Sequence, residues 1–259
     1  MKKKNKIVSG TFEFFKLIPN MMTMGALCLG LYATRLAIIG DFKNACLCVL
    51  YACLLDTFDG RVARKLNVSS EFGAQMDSLA DFYNFGVAPG FIMYFWKMQQ
   101  YTAIKGMAWF PVLILAICMA IRLARFNVSL NTNNPNNPLH KYFFQGIPAP
   151  MAAMLVFLPL FLSFECQELA NSFSPLFIMI NTVIIAILAG STIPTPCVKK
   201  MQLKSCYKQL VLIILAMVIV FLFFKPWLTL SIFLVVYVLS IFISWIFYAK
   251  FKKELANNK

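Results

Sequence analysis

Asp56-Thr57-Phe58-Asp59-Gly60-Arg61-Val62-Ala63-Arg64, then eight residues, then Gly73-Ala74-Gln75-Met76-Asp77-Ser78-Leu79-Ala80-Asp81: this stretch decides the fold. It holds four of the ten acidic residues in the chain, within or beside apolar segments. A carboxylate near bilayer depth costs about 2.5–3.5 kcal/mol on insertion scales, so it is a functional candidate by default. Asp56, Asp59, Gly60, Ala63 and Arg64 are spaced i, i+3, i+4, i+7, i+8, which puts them on one face of a helix. Gly73, Asp77 and Asp81 follow at i, i+4, i+8, a second single-faced stripe. The short join over 65–72 predicts two antiparallel neighbouring helices whose acidic faces meet.

The rest of the chain supplies the apolar setting. Its 259 residues are 60% hydrophobic, with 26 Phe and a mean hydropathy of +0.73. That is too apolar for a soluble domain and predicts an all-α polytopic membrane protein. The net charge of +14 suggests an anionic lipid or substrate partner. Nucleic acid is not expected as a partner, because Lys and Arg gather at the ends of apolar runs and form no polar stripe. The eight Cys show no metal-ligand spacing. Cys28, Cys53 and Cys118 read as small apolar residues within helices. No cleavable signal peptide is expected.

Eight apolar runs are long enough to cross or nearly cross a bilayer: 19–40, 42–64, 73–98, 107–127, 147–164, 173–191, 208–224 and 227–248. Residues 9–17 predict a short interfacial helix, with Pro19 starting the first span. Pro89 and Pro159 fall inside spans and predict kinks. The domain reading is a basic amphipathic segment over 1–18, a catalytic core over 19–200, and two further transmembrane helices with a basic tail over 201–259. Placing both termini in the cytoplasm puts most of the basic residues inside. Arg35, Lys43, Lys97, Lys105, Lys225, Glu165 and Glu168 are left outside.

Four clustered carboxylates repel unless cations intervene. Two divalent ions would balance them, and oxygen-only ligands favour Mg²⁺ or Mn²⁺. Paired ions clamp a phosphoryl group. Gly60 and Ala63 leave room beside the helix, and Arg64 suits a phosphate. The site therefore reads as phosphoryl transfer from a diphosphate donor. Asp41 reads as an ordinary helix cap.

The eight-position pattern resembles that of the CDP-alcohol phosphotransferase family, without departure. The resemblance implies a six-helix core, usually dimeric, and a dinuclear metal site formed by Asp56, Asp59, Asp77 and Asp81. Asp81 would also be the catalytic base. Asp56, Gly60, Ala63, Arg64 and Gly73 would contact the CDP-linked lipid. The sequences around Asp77–Pro89, Ile18–Thr23, Arg122–Asn127, Gln145–Pro150 and Ser191–Thr195 are similar to the bacterial phosphatidylserine synthase branch. That branch implies CDP-diacylglycerol as donor, L-serine as acceptor and a bacterial inner-membrane location, with the active site facing the cytoplasm and extra C-terminal helices.

Serine carries a carboxylate into a partly dry site. Arg122 and Arg125, three residues apart near the inner end of the fourth span, are its candidate partners. Asn127, Ser78 and Gln145 could add polar contacts. Asn20 and Thr23 either contact the donor or cap a helix after Pro19. Phe82, Tyr83 and Phe85 read as packing, or as an aromatic pocket for a choline acceptor. His140 reads as a solvated loop residue, and Lys199 and Lys200 as headgroup anchors. The same chemistry with choline, inositol, inositol phosphate or glycerol 3-phosphate is the alternative. A divalent-cation transporter is a more distant one, since it leaves Gly60, Ala63 and Arg64 unexplained.

Overall fold

The computed structural model describes residues 2–66, 68, 70–104, 106–131, 143–191, 194–196 and 205–257. Side chains are described over 17–129 and 146–241, apart from 67, 69, 105, 167, 169, 192–210 and 214. The Asn-rich loop at 132–142 with His140, and Lys199 and Lys200, lie outside the described residues. So does the side chain of Gln145.

Helices dominate: α1 (Lys2–Ile38), α2 (Phe42–Leu66), α3 (Glu71–Asp81), α4 (Ala88–Trp96), α5 (Phe110–Asn131), α6 (Ala149–Glu165), α7 (Gln167–Ser172), α8 (Pro175–Gly190), α9 (Ser205–Phe224) and α10 (Pro226–Asn257). One antiparallel ribbon joins β1 (Phe143–Gln145) to β2 (Pro194–Pro196), with Phe144 opposite Thr195. Leu17–Ile38 and Met107–Ser129 are long and apolar enough to cross a membrane. Four shorter apolar helices, 149–165, 175–190, 211–224 and 226–241, accompany them.

The expected break between an interfacial helix at 9–17 and a span beginning at Pro19 is not found. α1 runs unbroken from Lys2 to Ile38 with Pro19 inside it. Proline removes one donor and crowds the preceding turn, and a helix packed on its neighbours can absorb that. α1 packs along α2 over much of its length and also against α3 and α4.

Pro89 has a related effect. The chain widens into a π-helix over Phe82–Val87, and the amide of Ala88 bonds to the carbonyl of Tyr83. α3, this wide turn and α4 form one span that begins at the Ser70 cap, whose Oγ accepts from the amide of Gly73 at 3.0 Å. π-Bulges interrupt helices where a proline has removed a ladder bond, often near functional groups. Here the bulge begins directly after Asp81.

Small residues bring the helices close. A Cβ on Gly86 would lie 2.9 Å from Met119 Cβ, and one on Gly90 2.9 Å from Val112 Cγ1. A Cβ on Gly190 would lie 3.2 Å from Cys118 Cβ. α5 thus packs on the π-helix and α4 on one side and on α8 on the other, the close approach that small residues permit between apolar helices. The buried core runs through Val49, Phe85, Ile92, Leu115, Met119, Phe157, Phe161 and Ile178.

Lys225 Nζ is 3.2 Å from Glu165 Oε2, and Lys97 Nζ donates to the carbonyl of Ala170 at 3.2 Å. The two C-terminal helices differ from each other. Every described side chain of α9 from 211 to 224 is exposed, whereas α10 buries Trp227, Ser231 and Leu234 and packs against α6.

Candidate active site

The acidic stripes converge, but not through direct helix packing. Close backbone contact runs from α1 to α2 and from α1 to α3; α2 and α3 themselves are held further apart. The expected meeting of the two acidic faces is found, with α1 packed against both helices. Asp56, Asp59 and Asp77 each offer an oxygen within 4.8 Å of the others. Asp81 approaches Asp56 to side-chain hydrogen-bonding range.

Two residues of α1 reach into this space. Thr23 Oγ1 donates to Asp59 Oδ2 at 2.7 Å and also lies 3.1 Å from the carbonyl of Pro19. Both Thr23 and Asp59 are buried, Asp59 with 3% of its surface exposed. A carboxylate so enclosed, with one hydroxyl donor, has most of its accepting capacity unmet by protein, and buried charges demand pairing. Asn20 sits opposite Gly73, where an added Cβ would come within 2.8 Å of Asn20 Oδ1. Both residues lie inside the unbroken α1, so the capping alternative for them falls away.

A cavity of about 420 Å³ opens beside the carboxylates. Pro19, Asn20, Thr23, Asp59, Gly60, Ala63, Arg64, Ser70, Gly73 and Asp77 are among its walls. A Cβ on Gly60 would meet nothing within 4 Å, so the missing side chain is open cavity space. Arg64 Nε donates to the carbonyl of Gly60 at 3.0 Å, which anchors the guanidinium at the cavity wall while its two amino groups keep their donors. Gly60→Leu should therefore hold or slightly raise the melting temperature and obstruct the cavity. The expected loss is about 10²-fold in turnover of whatever occupies it. An active Gly60→Leu protein would mean the cavity is not used.

The arginines of α5 have definite partners. Arg122 Nε donates to the carbonyl of Ile147 at 2.7 Å. Arg125 Nη2 donates to the carbonyl of Gly190 at the end of α8, while its Nε is buried without a partner. The two side chains thus fasten α5 to the approach of α6 and the exit of α8. They differ in reach: Arg122 is close enough to Asp81 to interact with it electrostatically. Asn127 Nδ2 donates to Ser78 Oγ at 3.0 Å, and Ser78 Oγ lies 3.0 Å from the carbonyl of Ala74, so this pair is engaged internally.

Tyr83 and Phe85 form no open aromatic cage. Tyr83 Oη is 3.1 Å from Thr34 Oγ1, and Phe85 is fully buried. Asp41 caps α2, accepting from the amide of Asn44 at 3.2 Å.

The donor set suits hard divalent cations. Three carboxylates from two helices bring oxygens within 4.8 Å of one another, with no His or Cys among them. The buried charge of Asp59 has only Thr23 to offset it among side chains. Asp56, Asp59 and Asp77 fit such a role directly; Asp81 interacts with Asp56 and Asp77 and is not among the cavity walls.

Comparisons with known proteins agree with this geometry. The family model described as CDP-alcohol phosphatidyltransferase matches residues 16–193. The chain is 39% identical over 231 residues to the CDP-diacylglycerol–serine O-phosphatidyltransferase of Helicobacter pylori (strain ATCC 700392 / 26695), spanning 89% of this chain and 92% of that protein. It is 33% identical over 183 residues to the Bacillus subtilis (strain 168) enzyme of the same name, 71% of this chain and 92% of that protein. An archaetidylserine synthase from Methanothermobacter thermautotrophicus is 32% identical over 193 residues, 72% of each chain.

Proposed function

Because the chain belongs to the CDP-alcohol phosphatidyltransferase family, we propose that it transfers the phosphatidyl group of CDP-diacylglycerol to the hydroxyl of L-serine, giving phosphatidylserine and CMP. The observation that carries this reading is the junction of Asp56, Asp59 and Asp77 beside a cavity walled by Gly60, Ala63, Arg64 and Gly73.

The chain's own residues divide the work. Asn20, Thr23, Gly60, Ala63, Arg64 and Gly73 receive the CDP moiety, with Arg64 answering phosphate charge. Asp56, Asp59, Asp77 and Asp81 would hold two divalent cations, Mg²⁺ or Mn²⁺, which supply the positive charge that offsets the diphosphate. Asp81 accepts the proton of the serine hydroxyl. The serine oxygen then forms a bond to the phosphorus that bears diacylglycerol, and the bond from that phosphorus to the CMP oxygen breaks. With the carboxylates assigned to cations and base, the motif offers no separate nucleophile, so the displacement is direct. Catalysis is largely positioning and charge stabilisation.

Arg122 answers the serine carboxylate. Arg125, held at the end of α8, contributes by fixing α5, and Ser78 with Asn127 sets the polarity of the same wall. The six spans from α1 to α8 form the core over 19–200, and α9 and α10 with the basic tail are additions to it. The protein works in a bacterial inner membrane as a homodimer, in contact with anionic lipid. Both termini and the active site face the cytoplasm.

The test is CMP release by purified full-length protein supplied with CDP-diacylglycerol and Mg²⁺ or Mn²⁺. Serine is compared with choline, inositol, inositol phosphate and glycerol 3-phosphate. Release should depend on serine and disappear with EDTA. Release with a different alcohol would move the protein to a neighbouring branch. Activity that survives full chelation would remove the metal assignment.

A further inference from the structure

α10 lies beyond the residues that match the family model, and its sequence carries no motif. It is nevertheless docked. Trp227, Ser231 and Leu234 are buried, and Leu230, Tyr237, Val238 and Ile241 pack against the same core. Their spacing forms one helical stripe directed at α6.

Tyr237 is the one residue of this stripe with a chemical handle that packing does not explain. Its ring is packed like its neighbours, but its hydroxyl is buried and makes no hydrogen bond. A phenolic oxygen left in that state is costly, and phenylalanine would fill the space without the cost. The hydroxyl lies within electrostatic range of the Arg122 guanidinium, and Arg122 lies in the same range of Asp81. Arg122 has committed its Nε to Ile147, which orients the fork and leaves the four N–H donors of its amino groups for another partner.

These groups lie near Asp81 and outside the cavity lining. The cavity that suits the CDP moiety is walled by Asp59 and Asp77, and neither Asp81 nor Arg122 is among its walls. Asp56 links the two sides, because both Asp77 and Asp81 approach it. An acceptor arriving at Asp81 would therefore enter from the side where Arg122 and Tyr237 wait. A carboxylate there would find two guanidinium donors and a phenolic hydroxyl, three charge-assisted bonds in a partly dry setting.

We infer that Tyr237 on α10 completes the acceptor subsite, its hydroxyl donating a hydrogen bond to the carboxylate of the amino-acid alcohol held by Arg122. This rests on the proposed transfer to serine. It makes α10 a specificity-determining element that the shared core lacks by itself.

The experiment compares full-length wild type with Tyr237→Phe, measuring KM for serine and for CDP-diacylglycerol, kcat and the melting temperature. Serinamide, which lacks the carboxylate, is assayed alongside. Tyr237→Phe should raise KM for serine about tenfold, the effect of one lost charge-assisted bond. KM for CDP-diacylglycerol should stay within about twofold, kcat should hold, the melting temperature should hold or rise, and the preference for serine over serinamide should shrink by the same factor as the serine KM rises. An unchanged KM for serine overturns the inference. So does a parallel rise in both KM values with a lower melting temperature, which marks a packing role. Failure of the underlying reading looks different: wild-type protein itself then shows no serine-dependent CMP release. If wild type uses an alcohol without a carboxylate, the assignment of Tyr237 falls with that reading.

Discussion

Asp77→Asn is expected to lower serine-dependent CMP release about 10³-fold, the scale seen when a preorganised charge-stabilising group is removed. Asparagine keeps the shape and loses the charge. Asp77 is one of three carboxylates whose oxygens lie within 4.8 Å of one another, and it is the one of the three contributed by α3. Without it the cluster of three loses its one member from α3, and only Asp81 remains to bridge α3 to Asp56 on α2. The stability response separates this from simple damage. In EDTA the variant should melt at or above the wild-type temperature, because one of several mutually repelling carboxylates is gone. Saturating Mg²⁺ or Mn²⁺ should raise the wild-type melting temperature, since an ion that binds only the folded state stabilises it. The variant should lose most of that rise. A variant that retains both activity and the cation-induced rise would exclude Asp77 from the cation site.

Gly30→Ala is expected to destabilise the protein by about 1–3 kcal/mol, the usual cost of overpacking. A Cβ on Gly30 would overlap Asn84 Oδ1 and would lie 3.1 Å from Asn84 Cγ and 3.2 Å from Tyr83 Cδ1. Neither neighbour can yield easily. Asn84 is 1% exposed, and Tyr83 is tied to Thr34 at 3.1 Å. Both belong to the π-helix directly after Asp81, so any shift of α1 away from Asn84 is passed to the Asp81 end of α3. The internal control is Gly25→Ala on the same helix. Its Cβ would meet only Leu55 Cδ1 at 3.8 Å, an ordinary contact. That change should be neutral or slightly stabilising, as alanine favours helix by up to about 1 kcal/mol over glycine. Thermal melting of the two variants side by side decides the matter. Equal melting temperatures would show that α1 and the π-helix are not as closely fitted as the geometry requires.

The sequence by itself determined the parts of this protein that depend on local periodicity. Helical spacing put Asp56, Asp59, Gly60, Ala63 and Arg64 on one face and Gly73, Asp77 and Asp81 on another. The short connection around 67–70 then left the two stripes little choice but to meet. Apolar run lengths predicted helices wherever the described chain has its long ones, because hydropathy and helix length are also local properties. The Ser70 cap was present in the sequence as a serine directly before an apolar-periodic stretch, though it lacks the downstream glutamate of a capping box.

The tertiary structure decided whatever depends on contacts between distant segments. Pro19 reads locally as a helix start, yet α1 continues through it because packing on α2 and α3 outweighs one missing donor. Two acidic helices read as neighbours whose faces meet, but that α1 packs against both of them is set by the tertiary structure. Arg122 and Arg125 share a helix face and look equivalent in sequence. Only the fold separates them, sending one towards Asp81 and the other to the end of α8. Tyr237 is the clearest case. It lies in an unmarked apolar run more than a hundred residues from Arg122, and no periodicity links them. Side-chain chemistry and helical phase are written along the chain, but the docking of α10 on α6, which brings Tyr237 within electrostatic range of Arg122, is set by how whole helices pack, which no short stretch of sequence contains.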